Sequence, residues 1–351
     1  MMLNFEPSYR VGVMSKAFKF LVLGCGGTGS MYIPRLAAYL KTVTELDYTI
    51  SIFDADIVED KNLVRQNFTV NDIGKNKATV LAAKCNTVYG TNIIAFPKYV
   101  ESPEMLAELI GDGNYGSSDS VSVIVGCVDT NAVRRMIHKF IQDNPTEKII
   151  WLDSGNEEFH GQVCCGVSGL RQTVAVKSIG DDKADAVLVT TTPLVTEYFP
   201  DMLDSTEKFV SDLSCAEHAL STPQAAITNQ TAANLLMQFT TAIVTDNIRA
   251  SMVTFDVQSQ VFSTRRLTDS LFSQMGCKIP GTISLKYANM QKSVALTNAS
   301  ADERDAKNAA AAAAALGVVP IEDIAAIVAG DIAALEHAFD AVIPAGIITT
   351  E

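Results

Sequence analysis

A mainly apolar run that ends in a cluster of glycines is the feature that most restricts how this chain can fold. Residues 18–23 are followed directly by Gly24-Cys25-Gly26-Gly27-Thr28-Gly29. We expect a buried strand, a tight turn and then a helix over residues 30–40, with Pro34 in the first helical turn, where its missing N–H costs no hydrogen bond. This succession is typical of a nucleotide-binding, Rossmann-like unit.

The glycines of this turn have separate expected roles. Gly24 permits the tight turn, Gly26 lets backbone N–H groups approach a phosphate, and Gly29 lets the helix pack close to the strand. Gly27 lies in the same turn and is included in the expected nucleotide site. A turn rich in glycine also occurs without any ligand, so the turn by itself does not exclude a purely structural role.

Carboxylates follow two other apolar runs of the chain. One run ends at Asp54-Ala55-Asp56, and residues 121–125 precede Cys127-Val128-Asp129. The carboxyl ends of parallel strands meet at one edge of such a sheet, where Asp54 can accept hydrogen bonds from ribose hydroxyls and Asp129 offers a hard oxygen ligand to Mg²⁺. As an alternative, Asp129 could cap a helix over residues 130–142.

Two positively charged segments lie between these strands. They are Asn62-Leu63-Val64-Arg65-Gln66 and Gly74-Lys75-Asn76-Lys77. An NAD site has no use for Arg65 and Lys77, whereas attack on the α-phosphate of a triphosphate requires the charge on the phosphate and on the leaving pyrophosphate to be neutralised. Surface salt bridges are the simple alternative for either cation. Together with the carboxylates, the pattern favours ATP with its metal ion.

This ordered set of segments resembles the ThiF/MoeB/HesA family, whose adenylating fold is shared with ubiquitin-activating enzymes. The family pattern is a GxGGxG turn, an acidic DxD, an NLxRQ segment, a GxxK segment and a CTD-type turn, and each has a counterpart here in the same order. The resemblance covers roughly residues 18–245. It implies an α/β, Rossmann-like adenylating domain with a mixed, mainly parallel sheet.

The resemblance also implies which residues bind the nucleotide. They are Gly24, Gly26, Gly27 and Gly29 at the turn, Asp54 on the ribose with Asp56 beside it, Asn62, Arg65, Gln66 and Lys77 in the phosphate region, and Asp129 on magnesium. The implied reaction is ATP- and Mg²⁺-dependent adenylation of the C-terminal carboxylate of a small ubiquitin-like protein with a flexible tail.

Thioester-forming members of the family carry a cysteine where this chain has Cys215. That cysteine lies in a polar segment with His218 nearby, and a buried structural cysteine is the alternative reading. Ser214-Cys215 ahead of Pro223-Gln224 and Asn229 is similar to the ThiF-like protein of the PRTRC plasmid-associated systems.

The resemblance further implies a homodimer. In dimeric relatives an N-terminal arginine reaches the partner's ATP, and Arg10 is the single arginine before the first expected strand. Many relatives bind structural zinc through two CxxC pairs, but the seven cysteines of this chain include no such spacing. We therefore expect no zinc.

Two other classes of function stay open from the sequence. An NAD-dependent oxidoreductase of Rossmann type would use the glycines and Asp54 but would leave Arg65 and Lys77 without a role. A catalytically silent scaffold, like the inactive halves of heterodimeric activating enzymes, would not need the cations and carboxylates that are present here.

Composition and charge limit the partners. Hydrophobic residues make up 48% of 351 residues, which supports a large core. The formal net charge of −13 and the absence of a polybasic segment argue against a nucleic-acid groove, because phosphate contacts require clustered Lys and Arg. No membrane-spanning run or apolar leader is apparent, and the odd cysteine count fits reduced thiols, so we expect a cytoplasmic protein.

The chain is expected to divide into three parts. An N-terminal segment, residues 1–17, precedes an ATP-binding adenylating domain over residues 18–265, with a crossover or insertion region at about 180–225. A helical extension over residues 266–351 follows. Within it an αα-hairpin is expected at about 300–343, because a capping-box pattern begins an alanine-rich run there.

Overall fold

The structure is a computed structural model that describes residues 9–13, 15–111, 120–170, 174–177, 185–188, 191–212, 225–275 and 282–284. All of them belong to the first of two units into which the chain divides, Met1–Ser284 and Leu285–Glu351. Cys215, the expected αα-hairpin, much of the expected crossover region and the side chain of Arg10 lie outside the described residues, so these expectations and the domain boundaries stay predictions.

Twelve strands are described. In chain order they are β1 (Tyr9–Gly12), β2 (Ala17–Leu23), β3 (Asp47–Phe53), β4 (Ile93–Phe96), β5 (Val121–Gly126), β6 (Ile149–Asn156), β7 (His160–Ser168), β8 (Val174–Lys177), β9 (Asp185–Leu188), β10 (Ala250–Asp256), β11 (Val261–Arg266) and β12 (Thr282–Ser284).

Eight of these strands form the central sheet, in the spatial order β11-β10-β7-β6-β5-β2-β3-β4. The strands from β6 to β4 pair in parallel, and β7, β10 and β11 extend the sheet in antiparallel pairings. The other four strands form an antiparallel sheet in the order β1-β8-β9-β12. The predicted α/β fold with a mixed, mainly parallel sheet is confirmed.

Helices cover both faces of the central sheet. They are α1 (Gly27–Thr42), α2 (Lys77–Tyr89), α3 (Pro103–Gly111), α4 (Asn131–Asp143), α5 (Val195–Tyr198), α6 (Asp201–Asp204), α7 (Ala226–Val244) and α8 (Asp269–Gln274). None of the described helices combines the length and the apolar character that crossing a membrane requires.

The alternation of side chains along β2 divides the core into two clusters. Phe20 and Val22 pack in the cluster that includes α1, α2 and α7, whereas Leu21 and Leu23 pack in the cluster that includes α3 and α4. Because both faces of this strand are covered, the whole strand is apolar apart from Lys19, whose Nζ donates to the carbonyl of Ile110 at 3.0 Å.

The first helix differs from the sequence prediction. It begins at Gly27, three residues earlier than expected, so Pro34 lies in the helix interior and not in the first turn. A proline at this position cannot donate to the carbonyl of Ser30, four residues before it. That carbonyl accepts a hydrogen bond from Nδ2 of Asn67 instead, at 3.3 Å.

A buried hydrogen bond joins α1 to α7 and provides a test of this packing. Tyr32 Oη and Thr240 Oγ1 are 2.7 Å apart, and both residues are fully buried. The threonine hydroxyl donates to the carbonyl of Leu236 at 2.9 Å, so the tyrosine hydroxyl must donate to the threonine.

We therefore predict that Thr240→Val lowers the free energy of unfolding by about 1–3 kcal/mol, because the buried hydroxyl of Tyr32 loses its acceptor. In a Tyr32→Phe background the same change is expected to cost much less, since no donor is left unsatisfied. Urea unfolding of the four proteins measures both costs. An equal cost in the two backgrounds would contradict the assigned direction of the hydrogen bond.

Candidate functional site

A cavity of about 800 Å³ lies at the carboxyl ends of β2, β3, β5 and β6. It is lined by the glycine turn before α1, the residues after β3, the loop over residues 59–66, the start of α2 and the turn before α4. This volume is within the usual range for small-molecule sites, and the carboxyl edge is where open α/β sheets bind their ligands.

Gly24 and Gly29 bring the backbone of this turn together. Gly24 has φ +96°, and a Cβ there would lie 2.3 Å from the carbonyl oxygen of Cys127. A Cβ on Gly29 would lie 2.0 Å from the carbonyl oxygen of Gly24. Both positions therefore require glycine for close approach, as the sequence predicted.

Gly26 faces open space in the cavity. The nearest atom to a Cβ at this position would be Nε2 of Gln66, at 4.0 Å. Gly26 is the N-cap of α1, and none of the described side chains caps the helix at this end. The first amide N–H groups of α1 therefore have no helical acceptor and can bind an anion, which is the arrangement expected for a phosphate.

Gly27 lines the cavity, and its lack of a side chain also makes room for a buried residue. A Cβ at this position would lie 2.4 Å from Nδ2 of Asn229, which is fully buried on α7. Oδ1 of Asn229 accepts from Nδ2 of Asn156 at 2.7 Å, and its Nδ2 donates to the carbonyl of Arg65 at 3.4 Å. The missing side chain of Gly27 thus makes room for an amide that joins the glycine turn to the loop of Arg65.

Asp54 is buried and already accepts two backbone hydrogen bonds. Its Oδ2 accepts from the N–H of Cys25 at 2.7 Å, and its Oδ1 accepts from the N–H of Asp56 at 2.8 Å. Burial raises the pKa of Asp54 to about 6, although Lys77 lowers it. A carboxylate has further lone pairs, so Asp54 can still accept from a ribose hydroxyl in the cavity.

Lys77 and Asp56 form an ion pair at the start of α2. Nζ of Lys77 is 2.7 Å from Oδ2 of Asp56, and the other carboxylate oxygen accepts from the hydroxyl of Tyr99. The lysine side chain is almost fully buried, whereas that of Asp56 is about half exposed. An ammonium group has three donors, so the ion pair does not use up the capacity of Lys77 for hydrogen bonds.

Asn62 and Gln66 shape the loop that carries Arg65. Oδ1 of buried Asn62 accepts from the N–H of Glu59 at 2.8 Å, and its carbonyl accepts from the N–H of Gln66 at 2.9 Å. Oε1 of Gln66 is buried and has no hydrogen-bond partner among the residues that the structure describes. The guanidinium of Arg65, which lines the cavity, makes no hydrogen bond or ion pair with any residue that the structure describes.

Asp129 lies in the turn before α4 and is exposed to the cavity. Its carboxylate makes no hydrogen bond or ion pair within the described part of the chain. Desolvation by the surrounding protein raises the pKa of Asp129, and Arg134, Lys77 and Arg65 lower it. The side chain is nevertheless exposed to the cavity, so a ligand can reach the carboxylate.

The alternative role of Asp129 as a helix cap is not observed. The N-cap residue of α4 is Thr130, and it makes no side-chain capping bond. The N–H of Asn131 is bound by Oε2 of Glu207, at 2.5 Å. A carboxylate from a distant segment therefore satisfies this helix end, and Asp129 is free for a ligand.

Arg134 holds the turn of Asp129 in place. Its Nε donates to both carboxylate oxygens of Asp153 at 2.9 and 3.1 Å, and its Nη2 donates to the carbonyls of Val128 and Ser154 at 3.0 and 3.1 Å. Both charged side chains are buried. The pair therefore joins α4, the end of β6 and the residue that directly precedes Asp129.

Arg134 is not among the site residues predicted from the sequence. A signal was present, because Arg134 lies three and seven positions before Ile137 and Ile141 on the buried face of α4. A charged residue on an apolar stripe requires a buried partner, but its identity as Asp153 depends on the fold.

The described cysteines are not arranged as a nucleophile or a zinc site. Cys25, Cys85, Cys164 and Cys165 are buried and Cys127 is partly buried. Burial raises the pKa of all five thiols, to about 12 for Cys127 and well above the ordinary value for Cys25. Within the described residues no group of three His, Cys, Asp or Glu side chains could hold a metal ion.

The comparisons with known proteins agree with the resemblance carried by the segments. The model of the ThiF family matches residues 14–277, more than half of the chain. Comparison with curated protein sequences gives no match.

Comparison with solved structures gives matches of low sequence identity and low TM-score. The crystal structure of PaaA has a TM-score of 0.44 and 16% sequence identity, over 73% of this chain and 64% of PaaA. For E. coli MccB with AMPCPP and MccA, the TM-score is 0.47 and the identity 16%, over 75% of this chain and 66% of MccB. For E. coli MccB with ATP the values are 0.43 and 14%, over the same shares. This chain spans slightly less than two thirds of each of these structures.

The raised pKa of Asp54 predicts a dependence of stability on pH. An aspartate in an unfolded chain titrates near pH ~3.9, whereas Asp54 in the folded protein titrates at about 6. The folded state binds the proton of Asp54 more tightly than the unfolded state does. Protonation of Asp54 therefore adds to the free energy of unfolding; this contribution is fully present below pH ~4 and is lost as the pH rises through about 6.

We predict that the free energy of unfolding of the wild type, relative to Asp54→Asn, falls by roughly 2–3 kcal/mol between pH ~4 and pH ~7.5. Urea unfolding of both proteins across this range measures the difference. A difference that does not change with pH would show that Asp54 has an ordinary pKa in the folded protein.

Proposed function

This chain belongs to the ThiF family, and we propose that it is an ATP- and Mg²⁺-dependent adenylating enzyme that activates the C-terminal carboxylate of a small protein. The observation that carries the proposal is that Asp129 and Arg65 line the same cavity. These are a carboxylate and a guanidinium that line one cavity, and neither makes a hydrogen bond or ion pair with a described residue. Two opposite charges at the wall of one cavity, without partners among the described residues, are available to a ligand that carries charges of both signs, such as a nucleotide with its metal ion.

The donor set fits magnesium held jointly with a nucleotide. Mg²⁺ in nucleotide enzymes is usually bound through one or two carboxylates together with phosphate oxygens and water, and not by a cage of protein ligands alone. Asp129 provides one such carboxylate at the cavity wall. In this site the ion would neutralise phosphate charge.

The remaining residues are suited to a triphosphate. The free amides at the start of α1 would bind phosphate oxygens near Gly26, and Asp54 would accept from the ribose. Arg65 and Lys77 would neutralise the charge that develops on the α-phosphate and the leaving pyrophosphate. The attacking carboxylate is ionised at neutral pH, so this reaction needs no general base.

An NAD-dependent oxidoreductase is supported less well. Such a site would use the glycine turn and Asp54, but it gives no reason for a free guanidinium and a free carboxylate in the same cavity. A silent scaffold is also supported less well, because the charged groups that adenylation requires are all present.

The protein substrate that we propose is a small ubiquitin-like, β-grasp protein with a flexible C-terminal tail. We also propose that this chain forms a homodimer. The support for this substrate and for the homodimer is the family resemblance of the segments.

We predict that Mg²⁺ strengthens ATP binding and that Asp129→Asn removes this effect. Loss of the carboxylate should cost at least about 2 kcal/mol, or roughly 30-fold, in transition-state stabilisation. Titration calorimetry with ATP, with and without Mg²⁺, measures binding before any protein substrate is known, and pyrophosphate exchange measures turnover once it is.

Asp143→Asn is the matched control. Asp143 lies at the end of α4, the helix that begins just after Asp129, and among the described residues its one ion pair is with exposed Lys139. The Asp143→Asn variant should bind ATP like the wild type. If Asp129→Asn responds to Mg²⁺ as the wild type does, the metal role is wrong.

We further propose that Cys215 accepts the activated tail as a thioester. The raised pKa of buried Cys25 and of Cys127 argues against either as the nucleophile, because acyl transfer needs thiolate character. Cys215→Ala is expected to retain pyrophosphate exchange and to lose any adduct with the substrate that reducing agents cleave, whereas Cys277→Ala should keep both. A wild type that forms no such adduct under turnover would mean that the reaction stops at the adenylate.

A further inference from the structure

Pro34 leaves one carbonyl group of α1 without its helical donor. In an α-helix the carbonyl of Ser30 would accept from the N–H of residue 34, and proline has no N–H. Ser30 is fully buried, so its carbonyl cannot turn to solvent. A buried carbonyl of this kind requires another donor.

Asn67 supplies that donor and forms a second bond to the same serine. Nδ2 of Asn67 donates to the carbonyl of Ser30 at 3.3 Å, and its backbone N–H donates to Oγ of Ser30 at 3.0 Å. The serine hydroxyl in turn donates to the carbonyl of Gly27 at 3.3 Å, which fixes it as the acceptor for Asn67. We call these two bonds between Ser30 and Asn67 the latch.

Asn67, which forms the latch, lies two residues after Arg65 in the chain. The carbonyl of Arg65 accepts from Asn229 at 3.4 Å, so the backbone at this point is held from α7 as well as from α1. Because the guanidinium of Arg65 makes no hydrogen bond or ion pair with any described residue, its place in the cavity depends on where its backbone is held.

We propose that Asn67 is a positioning residue for Arg65, and that Pro34 serves this role by leaving the carbonyl of Ser30 free. The inference rests on the proposed function, since it assigns the guanidinium to the phosphates of Mg·ATP. Helix α1 lacks one backbone hydrogen bond at Pro34. In its place, Asn67 attaches the loop of Arg65 to α1, whose N-terminus would face the same phosphates.

A double-mutant cycle tests the inference. The dissociation constant of Mg·ATP is measured by titration calorimetry for the wild type, Asn67→Ala, Arg65→Met and the double variant. Asn67→Ala is expected to weaken binding about fivefold, the equivalent of one net hydrogen bond, and to have no further effect when Arg65 is already replaced. If Asn67 had only a structural role, its replacement would weaken Mg·ATP binding equally in the wild type and in the Arg65→Met variant.

Asn144→Ala is the matched control, because Nδ2 of Asn144 also donates to a helix carbonyl, that of Phe140, at 2.8 Å. It should leave the affinity unchanged. Pro34→Ala is a second, independent variant: its new N–H competes with Asn67 for the carbonyl of Ser30, so Mg·ATP binding should weaken while the melting temperature does not fall.

The outcomes are distinguishable. If the wild type does not bind Mg·ATP, the proposed function is wrong and the inference falls with it. If the wild type binds but Asn67→Ala binds equally well, or loses as much affinity in the Arg65→Met background, the proposed function stands and the positioning role is overturned. In that case the burial of Phe68 beside the latch is sufficient to hold the loop.

Discussion

The close approach of backbone segments at Gly24 is the constraint on which the rest of the site depends. The N–H of Gly24 donates to the carbonyl of Phe53 at 2.9 Å, and the N–H of Cys127 donates to that of Leu23 at 2.8 Å. These bonds bring the ends of β2, β3 and β5 together and leave no space for a Cβ at Gly24. The carboxylates that follow β3 and β5 therefore face one cavity.

Around this turn, buried polar contacts take the place of apolar packing. Asn229, Asn156 and Thr28 form a chain of hydrogen bonds from α7 to α1, and Arg134 with Asp153 forms a buried ion pair next to it. Such contacts add little to the net stability of the fold, because the cost of desolvation offsets much of their attraction. Each contact nevertheless requires one arrangement of its donor and acceptor groups. They hold the backbone at Arg65 and at Val128, next to Asp129.

The sequence predicts the parts of this site that depend on local patterns. The buried strands, the turn at Gly24 and the carboxylates after β3 and β5 follow from apolar runs and from where they end, and all are found in the predicted order. The family follows from the spacing of the same segments.

The remaining contacts could not be predicted, because they join residues that are distant in the sequence. The role of Gly27 depends on Asn229, about 200 positions later, and the tolerance for Pro34 depends on a donor from Asn67. The pairing of Lys77 with Asp56 likewise requires the two loops to be folded against each other. Cys215 and the αα-hairpin at about 300–343 stay predictions, since they lie outside the described residues.

A crystal structure of the protein with Mg²⁺ and a non-hydrolysable ATP analogue tests the central claim most directly. We expect the α-phosphate to lie against the amides at Gly26 and beside the guanidinium of Arg65, with the metal ion bound to the carboxylate of Asp129. A nucleotide whose phosphates do not contact Arg65, bound without a metal ion at Asp129, would contradict it.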